Sequence, residues 1–313
     1  MWYRVTCSAI SGPRDGRASD VSFTVSGKTT RRSGLSVTRM INTFYMVHVS
    51  DLELLGDGAE AEIFAWPDDR VVRLMRAGIG SPALEQVAMR AVEVLVDVPT
   101  PGELVTIDGR PGLIMERIDG ADFGSALRRR PWTSFHVFAL MGRLHARLLS
   151  TPAPPKLPDL HDYLRTQLEH PSVPPAARVA ALEALDGLPT GRAVCHGDFL
   201  PGNLLSDGTR TVVIDWANAT RGNPQADIAR TDLLLRTSEL TELPPAARFV
   251  VGVGRGLLLR SYHRGLRQAG LPADSEQVRR WQIVRAAARF EERRPADEKV
   301  RLRELLRRQG VEL

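Results

Sequence analysis

Two short segments constrain this chain more than any other feature: His196-Gly197-Asp198-Phe199-Leu200-Pro201-Gly202-Asn203, and Val212-Val213-Ile214-Asp215-Trp216. The second is an apolar, strand-like run that ends on a carboxylate, which directs Asp215 toward a cleft. Asp198, Asn203 and Asp215 form a set of hard oxygen donors. Mg²⁺ prefers octahedral oxygen coordination, with one or two carboxylates joined by phosphate oxygens and water. In that set Asp215 and the neutral oxygen of Asn203 are the ligands. Asp198, on the same loop as Asn203, is then free to accept a hydroxyl proton.

The remainder of the chain changes character along its length. Leu54–Leu55, Glu62–Trp66 and Val71–Met75 read as hairpin strands, separated by Gly56-Asp57-Gly58 and by the turn Pro67-Asp68-Asp69. Pro82 opens a helix with Leu84, Val87, Ala88, Ala91, Val92 and Leu95 at helical spacing. Two strands around the turn Asp108-Gly109 follow. Beyond Gly120 the pattern is mainly helical: Ser134–Leu149, then segments near 159–170 and 175–187, short strands at 193–215, and four helical patterns from 225 to 309. Residues 46–120 thus predict a small β-rich lobe and residues 121–313 a larger, mostly α-helical one, an α+β bilobal arrangement.

The spacing of Asp198 and Asn203, with a later Asp on the metal, is that of a phosphoryl-transfer catalytic loop. At these residues the sequence resembles the aminoglycoside phosphotransferase/choline kinase-like family, which has a protein-kinase-like fold. His-Gly-Asp-x-x-x-x-Asn and Ile-Asp-Trp are both matched, and the resemblance extends over about residues 50–310. It implies an ATP-dependent phosphotransferase acting on a hydroxyl group, with GTP as a possible donor and Mg²⁺ as the metal. Asp198 is then the catalytic base, Asn203 and Asp215 are the metal ligands, and His196 orients the loop. Gly56, Asp57, Gly58 and Ala59 correspond to the phosphate-covering loop. Met115, Glu116 and Ile118 correspond to the purine-binding linker. Asp227 reads as a helix-opening carboxylate that caps free N–H groups, Trp216 as packing and Cys195 as inert core.

One position departs from the family. The chain has only three lysines, Lys28, Lys156 and Lys299, so the strand position that normally carries the phosphate-binding lysine holds Arg73. Glu85 is its candidate helix partner. Arginine keeps the charge and grips phosphate bidentately, but its fork is longer and less compact than an ammonium. This substitution supports a second reading, a nucleotide-binding pseudokinase or scaffold with weakened chemistry.

The 313 residues carry 42 Lys and Arg against 37 Asp and Glu, a net charge of +5. Residues 1–45 contribute seven positive and two negative charges, and residues 246–313 sixteen against eight. The first segment, Ser/Thr-rich and without apolar periodicity, reads as a disordered tail or as a start-site artefact upstream of Met40 or Met46. Its Ser26-Gly27-Lys28-Thr29-Thr30 is not a phosphate loop, because position 22 is Ser22 rather than glycine. No aromatic-interleaved basic patch or groove-reading motif points to nucleic acid, and no apolar run is long enough for a membrane span. Two distant cysteines exclude a disulfide framework and fit a reducing cytoplasm. The partners implied are a nucleotide and a hydroxyl-bearing small molecule. Aminoglycosides come first by resemblance, yet the arginine-rich end favours a neutral or anionic acceptor over a polycation. Asp159, Asp162, Glu169, Asp232, Glu239 and Glu242 are the acids that could serve a polycation instead.

Overall fold

A computed structural model of the chain describes residues 4–6, 24–26, 47–78, 80–237, 245–292 and 296–312. The reading of residues 1–45 therefore lies outside the described residues, apart from β1 (Arg4–Thr6) and β2 (Thr24–Ser26), which pair antiparallel. The chain divides into two compact units: Met1–Ala83 with Thr100–Arg117, and Leu84–Pro99 with Ile118–Leu313.

The first unit is built on a five-stranded antiparallel sheet of β3 (Leu54–Asp57), β4 (Ala61–Trp66), β5 (Arg70–Met75), β6 (Pro101–Ile107) and β7 (Arg110–Glu116). Their spatial order is β3-β4-β5-β7-β6. Both expected tight turns are present. Asp68 and Asp69 have φ of 62° and 56°, and Asp108 and Gly109 have φ of 49° and 73°. The two-residue Asp108–Gly109 hairpin, with both central residues left-handed, matches the twist of its strands, whereas the β4–β5 turn is one residue longer, Pro67 to Asp69; Asp and Gly tolerate the left-handed conformation best. Phe64, Trp66, Val72, Leu74, Val105, Ile107 and Ile114 form a buried cluster against which Val47, Val49 and Leu52 pack. Asp108 secures that leading segment by accepting the Val49 N–H and bonding His48 Nδ1, each at 2.8 Å. The Val49 bond, followed by His48, holds its carboxyl below the usual range.

The second unit is mainly helical. Its helices are α1 (Pro82–Val92, from Leu84 on), α2 (Phe123–Arg129), α3 (Ser134–Leu149), α4 (Leu160–Leu168), α5 (Pro175–Asp186), α6 (Pro224–Thr237), α7 (Pro245–Gln268), α8 (Ser275–Ala288) and α9 (Ala296–Arg308). Its short strands are β8 (Ala121–Asp122), β9 (Ala193–Cys195), β10 (Leu204–Ser206), β11 (Thr211–Val213) and β12 (Thr220–Gly222). Val213 N–H donates to Asp97 O at 2.8 Å. That bond ties the segment after α1 to β11, so residues 84–99 group with this unit rather than with 46–120. Helix starts carry the acids that local chemistry requires: Asp122, Asp159 and Asp274 each accept first-turn N–H groups of α2, α4 and α8.

Helices α3 and α7 cross closely through two glycines. A Cβ on Gly142 would lie 2.1 Å from Tyr262 O, and one on Gly265 would lie 2.1 Å from Ala139 O. Only hydrogen fits at either position. The close crossing sets His145 of α3 against Tyr262 of α7. No helix among the described residues is long and apolar enough to cross a membrane.

Candidate active site

The loop after β9 and the hairpin β10–β11 bring the two sequence segments together. Strand register pairs Leu204 with Val213, and the ladder continues one step outward, where Ile214 N–H donates to Asn203 O at 3.0 Å. Asn203 is thereby set beside the residue preceding Asp215. Its side-chain Nδ2 donates to Asp198 O at 2.7 Å and to Asp198 Oδ2 at 3.0 Å. With Nδ2 committed to Asp198, Oδ1 is the side-chain atom that Asn203 has left to offer as an acceptor.

Ile214 is held from both sides. Its N–H goes to Asn203, and its carbonyl accepts from His196 Nε2 at 3.0 Å. His196 Nδ1 in turn accepts the Asp198 N–H at 3.2 Å. These bonds require the neutral Nε2–H tautomer. Burial disfavours the charged ring and lowers its pKa against the opposing pull of Asp227, Asp198 and Asp215. Clamped in this way, Ile214 delivers Asp215 in the left-handed region, at φ 63°. For a non-glycine residue that conformation costs about 1–2 kcal/mol, which the surrounding bonds offset.

Gly197 is required by both its conformation and its surroundings. Its φ is 81°, and a Cβ would come within 2.5 Å of Asn218 O. Beneath it the fully buried Asp227 carboxylate accepts the backbone N–H groups of His196 at 2.7 Å and Gly197 at 2.9 Å. Asp227 therefore does not cap its own helix. That role falls to Asn223, whose Oδ1 accepts the Gln225 N–H at 2.8 Å. The expectation failed because an acid near a helix start has the same local signature whichever N–H groups it binds.

Three residues that sequence reasoning passed over complete the support. His145 Nε2 bonds Asp227 Oδ2 at 3.1 Å, and its Nδ1 bonds the Tyr262 hydroxyl at 2.6 Å. The His145 ring stacks on Phe199 at 4.2 Å. Arg230 Nε donates to Gly197 O at 3.1 Å. Burial acts to raise the Asp227 pKa, but the His145 bond and the Arg285 guanidinium outweigh it and hold the carboxyl well below its ordinary range. The available signal was periodicity: His145 lies four residues after Met141 and seven after Phe138, on the apolar face of α3. Trp216 is buried packing with Nε1 bonded to Val213 O, and burial pushes the Cys195 thiol pKa up.

The other candidate residues lie in or next to the sheet unit. Register aligns Gly56, Ile63, Arg73 and Leu113 in one row across β3, β4, β5 and β7. Gly56 and Arg73 thus share the face opposite Val72 and its cluster. Gly58 N–H closes the β3–β4 turn on Ala61 O at 3.0 Å, and a Cβ there would lie 2.9 Å from the same oxygen. Ala59 sits in that turn, while Asp57 is ion-paired with Arg76. Met115 pairs with Val71, and Glu116 binds Thr100 through both its carboxylate and its N–H. The division between units falls between Arg117 and Ile118. Glu85 is buried in the first turn of α1, in the other unit. Among the described residues no group of three or more His, Cys, Asp or Glu could hold a metal ion. Asn203 and Asp215 are a donor set that fits Mg²⁺ only with phosphate and water oxygens completing the shell.

Of the acids considered for a polycationic acceptor, Asp159 is taken up by the α4 cap and by Arg221, and Asp232 by His263. Glu239 and Glu242 lie outside the described residues.

No curated protein matches the chain by sequence. Solved structures share its fold at low identity. The choline/ethanolamine kinase family protein from Mesorhizobium loti superposes with a TM-score of 0.54 at 18% identity, over 83% of this chain and 86% of that one. A thermostable mutant of aminoglycoside phosphotransferase APH(4)-Ia, in ternary complex with ADP and hygromycin B, gives 0.60 at 17%, over 84% and 95%. Amicoumacin kinase hAmiN, in complex with AMP-PNP, Ca²⁺ and Ami, gives 0.58 at 16%, over 85% and 89%. The fold is that of the aminoglycoside phosphotransferases and protein-kinase-like enzymes, as the resemblance implied. Residues 51–231 match the model of the APH phosphotransferase enzyme family, and the chain belongs to that family.

Proposed function

We propose that the protein transfers the γ-phosphoryl group of ATP, with GTP as an alternative donor, to a hydroxyl group of a small molecule. The observation that supports this reading is the bonded unit Asp198–Asn203–Ile214, which brings the Asp198 loop beside the residue preceding Asp215. Asp198 takes the acceptor hydroxyl proton as the new O–P bond forms and the bond to the departing diphosphate breaks. Asn203 and Asp215 would hold Mg²⁺, which when bound neutralises phosphate-oxygen charge. Gly56 to Ala59 bring backbone N–H groups to the phosphates, and Arg73 grips them on the same sheet face. Met115, Glu116 and Ile118 are assigned to the purine, and Glu85 to orienting Arg73. His196 positions the loop through Ile214. Such catalysis is mainly positioning and charge stabilisation. The ADP and AMP-PNP in complexes of the structural neighbours support the nucleotide assignment. The arginine-rich residues 246–313, with sixteen positive charges against eight negative, favour a neutral or anionic acceptor over a polycation.

The test is a phosphate-transfer screen of hydroxyl-bearing metabolites and antibiotics with ATP or GTP and Mg²⁺, followed by Asp198→Asn. General-base catalysis is worth about 10²–10⁴-fold, so transfer should fall by that factor while nucleotide affinity stays nearly constant. Near-normal turnover in Asp198→Asn would sink the assignment. Arg73 in place of lysine favours the second reading, a nucleotide-binding scaffold. That reading requires nucleotide binding with no transfer to any acceptor.

A further inference from the structure

A cavity of about 620 Å³ opens in the helical unit among α6, α7 and α8. Its wall includes Asp232 and Arg236 of α6, Arg260, His263 and Arg267 of α7, and Arg279 of α8. Four arginines thus line the same cavity as one carboxylate. That carboxylate is buried and already bound, with His263 Nε2 at 2.9 and 3.0 Å from its two oxygens. Arg279 is paired with Glu276 at 3.0 and 2.8 Å. Arg236, Arg260 and Arg267 make no ion pair among the described residues, and all three are exposed. Like charges gathered on a concave wall repel each other and focus a positive potential into the space they enclose.

This cavity is separate from the reaction centre. Asp227, Arg230 and Thr231 turn one side of α6 toward the catalytic loop, contacting His196, Gly197 and Phe199. At 3.6 residues per turn, Arg236 lies about 180° around the helix from Asp227, and Asp232 about 140°. The arginines therefore face a ligand that does not sit at Asp198. Guanidinium forks match the paired oxygens of phosphate, and three forks with no ion pair among the described residues call for a multiply charged anion. We propose that this cavity is a second binding site, which takes a small molecule carrying adjacent phosphate groups, held without metal by Arg236, Arg260 and Arg267.

Calorimetric titration of the full chain with inorganic pyrophosphate, in chelator-containing buffer without nucleotide, tests this. Saturable binding of one equivalent is expected. Arg260→Ala and Arg267→Ala should each weaken it about tenfold, in line with the loss of one charge-assisted hydrogen-bonding group, and Arg260→Lys should weaken it less. All three should melt as the parent does, because the side chains are exposed. Absence of binding, or unweakened binding in the Arg260→Ala/Arg267→Ala double variant, overturns the proposal. A parent protein that binds pyrophosphate yet transfers no phosphate would fail only the kinase reading.

Discussion

Asp227 holds the backbone of His196 from below: its carboxylate accepts the His196 N–H at 2.7 Å, and the next N–H, of Gly197, at 2.9 Å. A carboxylate on a helix thus fixes a loop some thirty residues earlier in the chain. Both N–H groups are buried with it and have no water to turn to if it is removed. Asp227→Ala should therefore destabilise the protein by about 3–5 kcal/mol in urea unfolding, the cost of leaving buried partners uncompensated.

The same residue sets a pH dependence. The folded-state pKa of Asp227 is depressed, because the His145 bond and the Arg285 charge outweigh burial. The unfolded carboxyl, at about 3.9, takes up its proton first. Its contribution to stability is therefore fully present above that value and is lost as the pH falls below it. Melting temperature measured down through the acid range should fall less steeply in Asp227→Asn than in the parent. Parallel acid limbs would show that Asp227 does not titrate in this way.

His196 joins the two motif segments, bonding Ile214 O through Nε2 and the Asp198 N–H through Nδ1. His196→Ala should leave the Ile214 carbonyl and the Asp198 N–H without these partners, at a cost of about 1–3 kcal/mol. Because Asp198 and Asp215 then lose their common anchor, kcat should fall more than the nucleotide KM rises. A variant with a normal kcat and a raised KM would assign His196 to binding instead.

Much of the site was legible because it is local. Asp198 and Asn203 share one loop, Asp215 lies two residues past an apolar strand, and the Pro67–Asp69 and Asp108–Gly109 turns announce their hairpins locally. What escaped the sequence is long-range. Asp227 looks like a helix cap until the loop it binds is in view, while Asn223, the residue that does cap α6, looks like part of a turn. His145 and Tyr262 sit on apolar helix faces and read as core, though their polar atoms meet over Asp227. Helix α2 has only Phe123, Ala126 and Leu127 as apolar residues in seven, too few to show a period. Arg236, Arg260 and Arg267 come from α6 and α7, so only packing reveals that they line one cavity.

The α3–α7 crossing makes a prediction about packing. A Cβ on Gly142 would lie 2.1 Å from a backbone oxygen, which cannot rotate away, so the helices must separate. Gly142→Ala should cost at least the about 1–3 kcal/mol typical of overpacking, and should also loosen the His145–Tyr262 contact. Gly202 provides the control, since a Cβ there meets nothing within 4 Å. Gly202→Ala should shift stability by no more than about 0.5 kcal/mol. Equal melting temperatures for the two variants would contradict the crossing.

Arg73 decides between the two readings of function. It lies in the row with Gly56, on the sheet face opposite the buried cluster of Phe64, Val72 and Ile114. A guanidinium that grips phosphate there makes charge-assisted bonds that alanine cannot replace, each worth about 1.5–3 kcal/mol. Arg73→Ala should therefore weaken nucleotide binding by at least about tenfold in a fluorescent-nucleotide titration, since 1.4 kcal/mol is a factor of ten. Arg73→Lys keeps the charge in compact form and should recover most of that affinity. If the arginine limits chemistry, Arg73→Lys should also raise kcat for phosphate transfer above the parent value. A parent that transfers phosphate and loses activity in both variants would instead show that the bidentate fork is what this site uses, and that the arginine is a working replacement for lysine. Nucleotide affinity unchanged in Arg73→Ala would remove Arg73 from the site altogether.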